Sequence, residues 1–398
     1  MAGKRTAKDA GLDSGDKAVK KIHPFFTKDS NEFKEPEQTG TFKWLKPLGP
    51  KSTCLHGVNL EPPSRTKVAL FDLDGTIIKS SFGSKDGSWE WWRLDVPAKL
   101  KRLHEDGYSI VIISNQALKS AALKTWKDKV PSIAASVSPG YLQRVKHKTS
   151  SFFVGDAAGR QYPNGKCDFS GTDRKWAMNI GLTFHTPEEY FLGLAVHTNI
   201  KLDGFNVATL PLELPLYTPT NSPLLPKPGV LEIVLFVCFP SLGKTSFYGR
   251  YFKPANYVHV NQDILGSRPK CIKAVEEALD QGLPCVIDNT NRDANTRKYY
   301  VDLARRRKVP IRCFHFTGSM ELAWHNNLYR ALNTPPSVAA KETKRELVPY
   351  LAYTSYKNAF QEPEPTEGFS EIKKVNWVFE GNEEARRHWS MWLQLEGK

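Results

Sequence analysis

The chain has 398 residues, 40% of them hydrophobic and 25% charged, so it is long enough for two or three domains with buried cores. No apolar run reaches the roughly 18 residues of a membrane span, and the polar N-terminus lacks the apolar part of a secretory signal. The six cysteines show no CxxC pair and no metal-ligand spacing. Together these features predict an intracellular protein with reduced thiols. The net charge of +14 fits a polyanionic partner such as nucleic acid, although many basic proteins use charge only for solubility.

Residues 1–40 are polar, charged and short of periodic apolar residues, which predicts a disordered basic tail. Within it, Ile22, Phe25 and Phe26 have the i, i+3, i+4 spacing of a short helical anchor. The stretch VKKIHPFFTK resembles the motif with which replication and repair proteins bind the sliding clamp, but Val19 stands where its glutamine should be. Two interpretations stay open: a clamp-binding segment, or an isolated aromatic pair in a disordered tail.

Apolar strands and helices begin to alternate near residue 66. The predicted strands are TKVALFD, SIVIISN and SFFVGDA, and DVPAKLKRLHEDGY, between the first two, has helical spacing and ends at Gly107. Strands that alternate with helices form parallel sheets. Residues 41–202 are therefore interpreted as an α/β domain.

Residues 203–229 contain six prolines, which interrupt regular structure, and are interpreted as a linker. A second alternating series follows in residues 230–398. Its predicted strands are LEIVLFV, YVHVN, PCVIDN and PIRCFHF, and its helices are predicted to start near Lys244, Pro269, Asp293 and Ser319. The sequence thus predicts two parallel-sheet α/β domains in tandem, without an internal repeat.

Two aspartates, Asp72 and Asp74, follow the first predicted strand in FDLDGT. Ligand sites of parallel sheets lie at that edge, and Mg²⁺ would offset the cost of burying two negative charges. Asp72 can then attack phosphorus while Asp74 protonates the leaving oxygen. Ser114 ends the next strand, where its hydroxyl can hold phosphate, and Asp156 ends the third as a further metal carboxylate. The alternative is an acidic turn that binds nothing.

The stretch LFVCFPSLGKTS ends like a phosphate-binding loop, G-x-x-x-x-G-K-[ST], between a strand and a helix. Backbone N–H groups and Lys244 would contact phosphates, and the Thr245 hydroxyl would lie on Mg²⁺. Gly243 is present, but Cys238 and Ser241 replace two glycines, and a non-glycine residue at positive φ costs about 1–2 kcal/mol. The alternative is a strand-turn-helix without a ligand.

Polar residues also end the next two strands of the second domain, in HVNQD and IDNTN. The carboxylate of Asp263 could take a proton from an attacking hydroxyl. Arg330 ends MELAWHNNLYR. That stretch is interpreted either as a lid with an arginine on the transferred phosphate or as a solvent-exposed helix.

The strings FDLDGT, SN and VGDAAGR resemble the haloacid-dehalogenase phosphatase superfamily. The resemblance implies Asp72 as the nucleophile, Asp74 as the general acid/base and Ser114 as the phosphate ligand. It implies Asp156 as a ligand of Mg²⁺, and Asp72 and Asp74 complete the predicted metal site of this domain.

The two domains in this order resemble the polynucleotide kinase 3′-phosphatase family of eukaryotes, through strings such as FPSLGKTSF, HVNQDILGS and IDNTNRDANTR. The resemblance implies repair of DNA strand breaks in the nucleus, by removing a 3′-phosphate and by moving the ATP γ-phosphate to a 5′-hydroxyl. It implies Asp263 as the kinase base and Arg330 as a lid arginine. Lys244 and Thr245 would bind ATP and Mg²⁺.

Residues 116–152 depart from that family because they lack its Arg-Lys-Pro and Gly-Met-Trp motifs. The superfamily lysine therefore has no obvious counterpart, and Lys146 and Lys148 are merely nearby. The junction at residues 137–140 is interpreted as a place where about one strand and a helix are absent. A competing hypothesis is a DNA-binding scaffold with one or both sites impaired. Another is a phosphatase or kinase of small metabolites, which the net charge and the family strings disfavour.

Overall fold

The structure is a computed structural model that describes residues 41–49, 52–60, 65–79, 88–116, 118, 120–137, 150–211, 213–341 and 345–394. Ile22, Phe25 and Phe26 lie outside these residues, as do Lys146 and Lys148, so the clamp-binding segment stays a prediction from the sequence. An antiparallel hairpin, β1 (Phe42–Leu48) and β2 (Cys54–Asn59), opens the described chain. Within the described ranges, no helix is long and apolar enough to cross a bilayer.

Within the described part of the chain, the first sheet has four parallel strands in the order β4-β3-β5-β6. Its strands are β3 (Lys67–Asp72), β4 (Tyr108–Ile113), β5 (Phe152–Val154) and β6 (Thr183–His185). The helices of this domain are α1 (Val96–Glu105), α2 (Ser120–Ala135), α3 (Thr172–Ile180) and α4 (Pro187–Leu192). The predicted α/β architecture is confirmed.

Strand β3 is hydrophobic on both faces because it is covered on both sides. Ala69 and Phe71 pack into one core cluster, whereas Val68 and Leu70 pack into another. A strand that is buried on both faces has a continuous apolar sequence, and for that reason the run VALF predicts a strand. The polar residues that follow the run must then lie at the edge of the sheet.

Among the residues that the structure describes, the second sheet has six strands in the order β7-β12-β11-β8-β10-β9, parallel except for β7. Its strands are β7 (Tyr217–Thr218), β8 (Ile233–Val237), β9 (Val258–Val260), β10 (Cys285–Ile287), β11 (Ile311–Phe316) and β12 (Glu371–Val375). The helices of this domain are α5 (Lys244–Phe247), α6 (Gln262–Leu265), α7 (Arg268–Asp280), α8 (Ala294–Arg307), α9 (Met320–Leu328), α10 (Pro336–Ala339), α11 (Tyr350–Ala359) and α12 (Glu383–Trp389). The four predicted helix starts are correct to within one residue.

Residues 203–229, interpreted as a linker, also contribute to the second domain. They supply β7, which pairs with β12 at the edge of the sheet, the position where prolines are tolerated in strands. The buried ammonium group of Lys373 donates to the carbonyl oxygens of Pro219 (3.3 Å) and Ser222 (3.1 Å). The part of this segment around β7 is therefore an integral edge of the second sheet.

Two candidate active sites

Three carboxylates meet at the carboxyl end of the first sheet. Asp72 is the last residue of β3, Asp156 follows β5, and Asp173 lies in the first turn of α3. One carboxylate oxygen from each residue lies within 4.8 Å of the other two, and all three residues are half-buried. This spacing suits a divalent cation with oxygen ligands.

Asp173 is the member of this cluster that the sequence reasoning missed. An acidic residue in the first turn of a helix is common because it interacts favourably with the helix dipole, so the string GTDRKW carries no separate signal for a metal ligand. Folding places α3 against the Asp156 loop, and the backbone N–H of Ala157 donates to Asp173 Oδ2 (3.0 Å). Only this tertiary contact identifies Asp173 as part of the site.

Two glycines make room for the carboxylates. Gly75 has φ +87°, and a Cβ at that position would overlap Asp156 Oδ2. A Cβ at Gly155 would overlap Asp173 Oδ2 and lie 2.7 Å from Asp173 Cβ. Because the obstacle at Gly155 includes the Cβ of the neighbour, rotation of the Asp173 side chain cannot relieve it.

Replacing Gly155 by alanine should therefore displace Asp173 and weaken cation binding at the cluster. We expect the dissociation constant of Mn²⁺, followed by electron paramagnetic resonance, to rise about 10–100-fold, the range typical for residues that orient metal ligands. Gly249→Ala is the matched control, because a Cβ there meets nothing within 4 Å. Unchanged Mn²⁺ affinity in Gly155→Ala would mean that Asp173 is not a ligand.

The three carboxylates repel one another strongly when no cation is bound. Burial raises the pKa of Asp72, and the charges of Asp173 and Asp156 raise it further. Burial also raises the pKa of Asp173, and it raises the pKa of Asp156 to about 6, with a contribution from the charge of Asp168. A cation would offset both burial and repulsion, so these residues fit the predicted Mg²⁺.

Asp74 and Ser114 lie together beside the cluster, and Gln116 joins them. The Gln116 side-chain amide donates to Asp74 Oδ2 and to Ser114 Oγ, both at 2.7 Å. The carboxylate of Asp74 is not a member of the three-carboxylate cluster, so the predicted metal role of Asp74 gains no support from this geometry. An acid held apart from the metal cluster suits proton transfer, the other role predicted for Asp74.

Arg160 supports the loop that carries Asp156. Its side chain is buried and donates to Asp168 Oδ2 (2.8 Å), to Glu188 Oε2 (2.6 Å) and to the carbonyl oxygen of Asp156 (3.3 Å). Both carboxylate partners carry a compensating charge, so the buried guanidinium is fully paired. Arg160 therefore ties the Asp156 backbone to α4.

The phosphate-binding loop follows β8 in the second sheet and ends in α5. Lys244 Nζ lies 3.5 Å from both Cys238 Sγ and the carbonyl oxygen of Phe239, which holds the ammonium group over the loop. Thr245 Oγ1 donates to Asp288 Oδ2 (2.7 Å), and His259 Nε2 lies 2.9 Å from the same oxygen. Residues from the ends of three adjacent strands thus converge at one point.

Asp288 is a second candidate site residue, to which the sequence reasoning assigned no role. Burial acts to raise the pKa of Asp288, but the hydrogen bond from His259, the charge of Lys244 and the hydrogen bond from Thr245 together lower it. Among the described residues, its buried Oδ1 has no hydrogen-bond partner. An ionised carboxylate with one unpartnered oxygen beside Thr245 fits the Mg²⁺ predicted at this loop.

The two glycine replacements in the loop have different consequences, and the expected strain at Cys238 is wrong. Among the described residues, Ser241 has φ +67°, whereas Cys238 is not among those with positive φ. The Cys238 side chain is 1% exposed and packs in the core of the second domain. Ser241 is held by a 2.7 Å hydrogen bond to Tyr353 Oη and by its carbonyl oxygen, which accepts from Asn326 (3.2 Å).

Cys238→Gly should therefore destabilise the second domain, contrary to what its place in the loop pattern suggests. The loss of a buried side chain and the added backbone freedom should lower the free energy of unfolding by about 1–3 kcal/mol. Ser241→Gly should be nearly neutral, because relief of about 1 kcal/mol of strain offsets a lost hydrogen bond of similar size. Urea denaturation of both variants tests this. In a Tyr353→Phe background Ser241→Gly should become stabilising, and equal losses in both backgrounds would contradict the strain argument.

The two other predicted residues of this domain, Asp263 and Arg330, lie in different environments. Asp263 is exposed in the first turn of α6, which Asn261 caps by accepting from the Asp263 N–H (2.8 Å). Arg330 lies in a π-helical turn, Tyr329–Asn333, that follows α9. Eight of the nine residues of α9 are buried, so the interpretation of this stretch as a solvent-exposed helix is wrong.

Arg330 borders a cavity of about 220 Å³ beside the loop. Its lining includes Ser241 and Gly243 of the loop and several aromatic residues, of which Trp377 and Trp389 stack with ring centroids 4.7 Å apart. An aromatic wall next to a phosphate-binding loop suits a ligand that has both a flat ring and phosphates.

Comparisons with known proteins match both domains. A family model described as polynucleotide kinase 3 phosphatase matches residues 67–143 and 140–191, and an AAA domain model matches residues 233–350. The first match is in two pieces that meet at residues 140–143, beside the junction where the sequence predicts a missing segment.

Two relatives match over most of their length. The chain is 35% identical to the bifunctional polynucleotide phosphatase/kinase of Schizosaccharomyces pombe, over 82% of this chain and 83% of the relative. It is 31% identical to a putative bifunctional polynucleotide phosphatase/kinase of Acanthamoeba polyphaga mimivirus, over 79% of this chain and 85% of the relative. It is also 33% identical to the polynucleotide 3′-phosphatase ZDP of Arabidopsis thaliana, over 32% of this chain and 24% of the relative. The chain therefore belongs to the bifunctional polynucleotide phosphatase/kinase family.

Proposed function

We propose that this protein repairs DNA strand ends by hydrolysing a 3′-phosphate in the first domain and phosphorylating a 5′-hydroxyl with ATP in the second. The observation that carries the proposal is the presence of two separate polar sites in one chain of this family. One is the carboxylate cluster around Asp72, and the other is the loop in which Lys244 and Thr245 meet Asp288. We refer below to the phosphatase domain (residues 41–202) and the kinase domain (residues 203–398).

In the phosphatase domain, Asp72 attacks phosphorus and forms an aspartyl-phosphate, and Asp74 protonates the departing 3′ oxygen. Asp74 then removes a proton from the water that hydrolyses the intermediate. Gln116 keeps the Asp74 carboxylate next to Ser114, whose hydroxyl binds the phosphate. Asp72, Asp156 and Asp173 would hold Mg²⁺, which supplies positive charge to the phosphate oxygens.

In the kinase domain, the backbone of the loop and Lys244 bind the β- and γ-phosphates of ATP, and the base of ATP enters the aromatic cavity beside Arg330. Asp263 accepts the proton of the 5′-hydroxyl as the hydroxyl oxygen attacks the γ-phosphorus, and the bond between the β- and γ-phosphates breaks so that ADP leaves. Arg330 stabilises charge on the transferred phosphate. Thr245 and Asp288 would hold the Mg²⁺ of this site, and His259 fixes the orientation of the Asp288 carboxylate.

The net charge of +14 favours contact with the phosphates of DNA, which would make affinity fall steeply with salt. A repair function on chromosomal DNA implies that the protein acts in the nucleus. The alternative is a DNA-binding scaffold with an impaired phosphatase, and the break of the family match at residues 140–143 favours it.

The test is a nicked duplex that carries a 3′-phosphate and a 5′-hydroxyl, with each end labelled separately, incubated with Mg²⁺ and ATP. The proposal predicts a 3′-hydroxyl and a 5′-phosphate, and no 5′-phosphate without ATP. Binding of the duplex without a change at either end would support the scaffold. A change at only the 5′ end would mean that the phosphatase of this chain is inactive, as the departures from the family in residues 116–152 would lead one to expect.

A further inference from the structure

The kinase domain contacts the phosphatase domain through residues 391–394, here called the C-terminal strap. The Asn179 side-chain amide donates to the carbonyl oxygen of Trp392 (2.9 Å), and the Trp392 N–H donates to Asn179 Oδ1 (2.6 Å). One side chain on α3 therefore satisfies both backbone groups of a residue from the other domain. This reciprocal pair fixes the position of the strap along the helix.

A second anchor lies one turn earlier on α3. Lys175 is 2% exposed, and its ammonium group donates to the carbonyl oxygen of Gln394 (3.0 Å) and lies 5.8 Å from the centre of the Trp392 ring. A buried ammonium group without a partner is costly, so the strap compensates Lys175 as well as covering it. On its other side the strap is held by Leu393, which packs against the kinase core.

The helix that the strap holds is the one that carries Asp173. Asp173 lies in the first turn of α3, and Asn179 lies in its last turn. The Asp173 carboxylate accepts a hydrogen bond from the backbone N–H of Ala157 in the Asp156 loop (3.0 Å), so its position depends on how α3 lies against that loop. A small shift of α3 therefore changes the distance between Asp173 and the other two carboxylates.

We propose that Asn179 is a positioning residue for the phosphatase site: through Asn179, the C-terminal strap of the kinase domain holds α3 so that Asp173 completes the cation site. The inference rests on the proposed function for its naming of the two domains. Its physical content is that contacts of residues 391–394 set the cation affinity of a site in the other domain.

The experiment measures Mn²⁺ binding to the full-length chain without nucleotide or DNA, by electron paramagnetic resonance, in Asn179→Ala. We expect the dissociation constant to rise about tenfold, with the loss of phosphatase turnover recovered at high Mn²⁺ and kinase turnover unchanged. Met178→Ala is the matched control, since Met178 is the neighbouring residue on α3 and is 50% exposed. Lys175→Met, which removes the second anchor without burying an unpaired charge, should shift Mn²⁺ affinity in the same direction.

The outcomes separate this inference from the proposed function. In an Asp288→Asn background, which removes the cation carboxylate of the kinase loop, Asp156→Asn should remove the measured Mn²⁺ binding. If it does not, the cluster is no cation site and the proposed phosphatase function fails. If Asp156→Asn removes Mn²⁺ binding but neither Asn179→Ala nor Lys175→Met weakens it, the strap packs against α3 without affecting the cation affinity, and the inference is overturned. A loss of phosphatase turnover that excess Mn²⁺ does not recover, together with a lower melting temperature, would overturn it equally.

Discussion

Asp72→Asn should abolish removal of the 3′-phosphate and leave 5′-phosphorylation intact. Asparagine cannot form the aspartyl-phosphate, so the covalent path is lost, and a fall in kcat on the order of 10⁴-fold or more is expected. The kinase retains its activity because its carboxylates lie in the second domain: Asp263 is in α6, and Asp288 follows β10. The separately labelled nicked duplex reports both activities in one reaction.

The same substitution should not destabilise the protein. Burial and the charges of Asp173 and Asp156 raise the pKa of Asp72, so an ionised Asp72 opposes folding when no cation is bound. A neutral asparagine removes that repulsion, and the melting temperature of the metal-free variant should be equal to or above that of the wild type. Asp95→Asn, at a half-exposed aspartate of the same domain, is the matched control and should retain both activities. Equal loss of both activities in Asp72→Asn would contradict the assignment of two independent sites.

Lys244→Ala should remove 5′-phosphorylation and leave the phosphatase unchanged. The ammonium group lies over the phosphate-binding loop. Removing a preorganised group that stabilises the charge of the transferred phosphate typically lowers kcat by about 10²–10³-fold. ATP affinity should also fall, because the same charge contacts the ground-state phosphates. Single-turnover kinetics and calorimetric titration with ATP separate the two effects.

Lys253→Ala provides the control for loss of a lysine from this domain, because Lys253 is exposed and lies after the helix that follows the loop. Without Lys244 the pKa of Asp288 should rise, since the charge of Lys244 is one of the causes that lower it. The activity of Lys244→Ala should nevertheless remain low at all pH values, because ionising Asp288 at higher pH does not replace the ammonium group on the phosphates. Retention of full kcat in Lys244→Ala would show that the loop does not bind the transferred phosphate.

The sequence by itself determined the α/β architecture and the polar residues that follow the ends of the strands. Strands buried on both faces appear as continuous apolar runs, and the polar residues that follow such runs must lie at the edge of a parallel sheet. That reasoning identified Asp72, Asp74, Asp156 and Lys244 with no knowledge of contacts. Helix starts could be predicted as well, since Asp293 and Ser319 cap their helices by local hydrogen bonds.

Only the tertiary structure decided which further residues join each site. In the sequence, Asp173 is an ordinary acidic residue in the first turn of a helix, and Asp288 is an ordinary polar residue after a strand. The fold brings Asp173 to Asp156 and Asp288 to Thr245. The backbone conformation of Ser241 depends on contacts with α9 and α11, so the loop pattern alone could not assign the strain to it. Contacts between residues far apart in the chain carry no local periodicity, and for that reason the strap on α3 has no signature in the sequence.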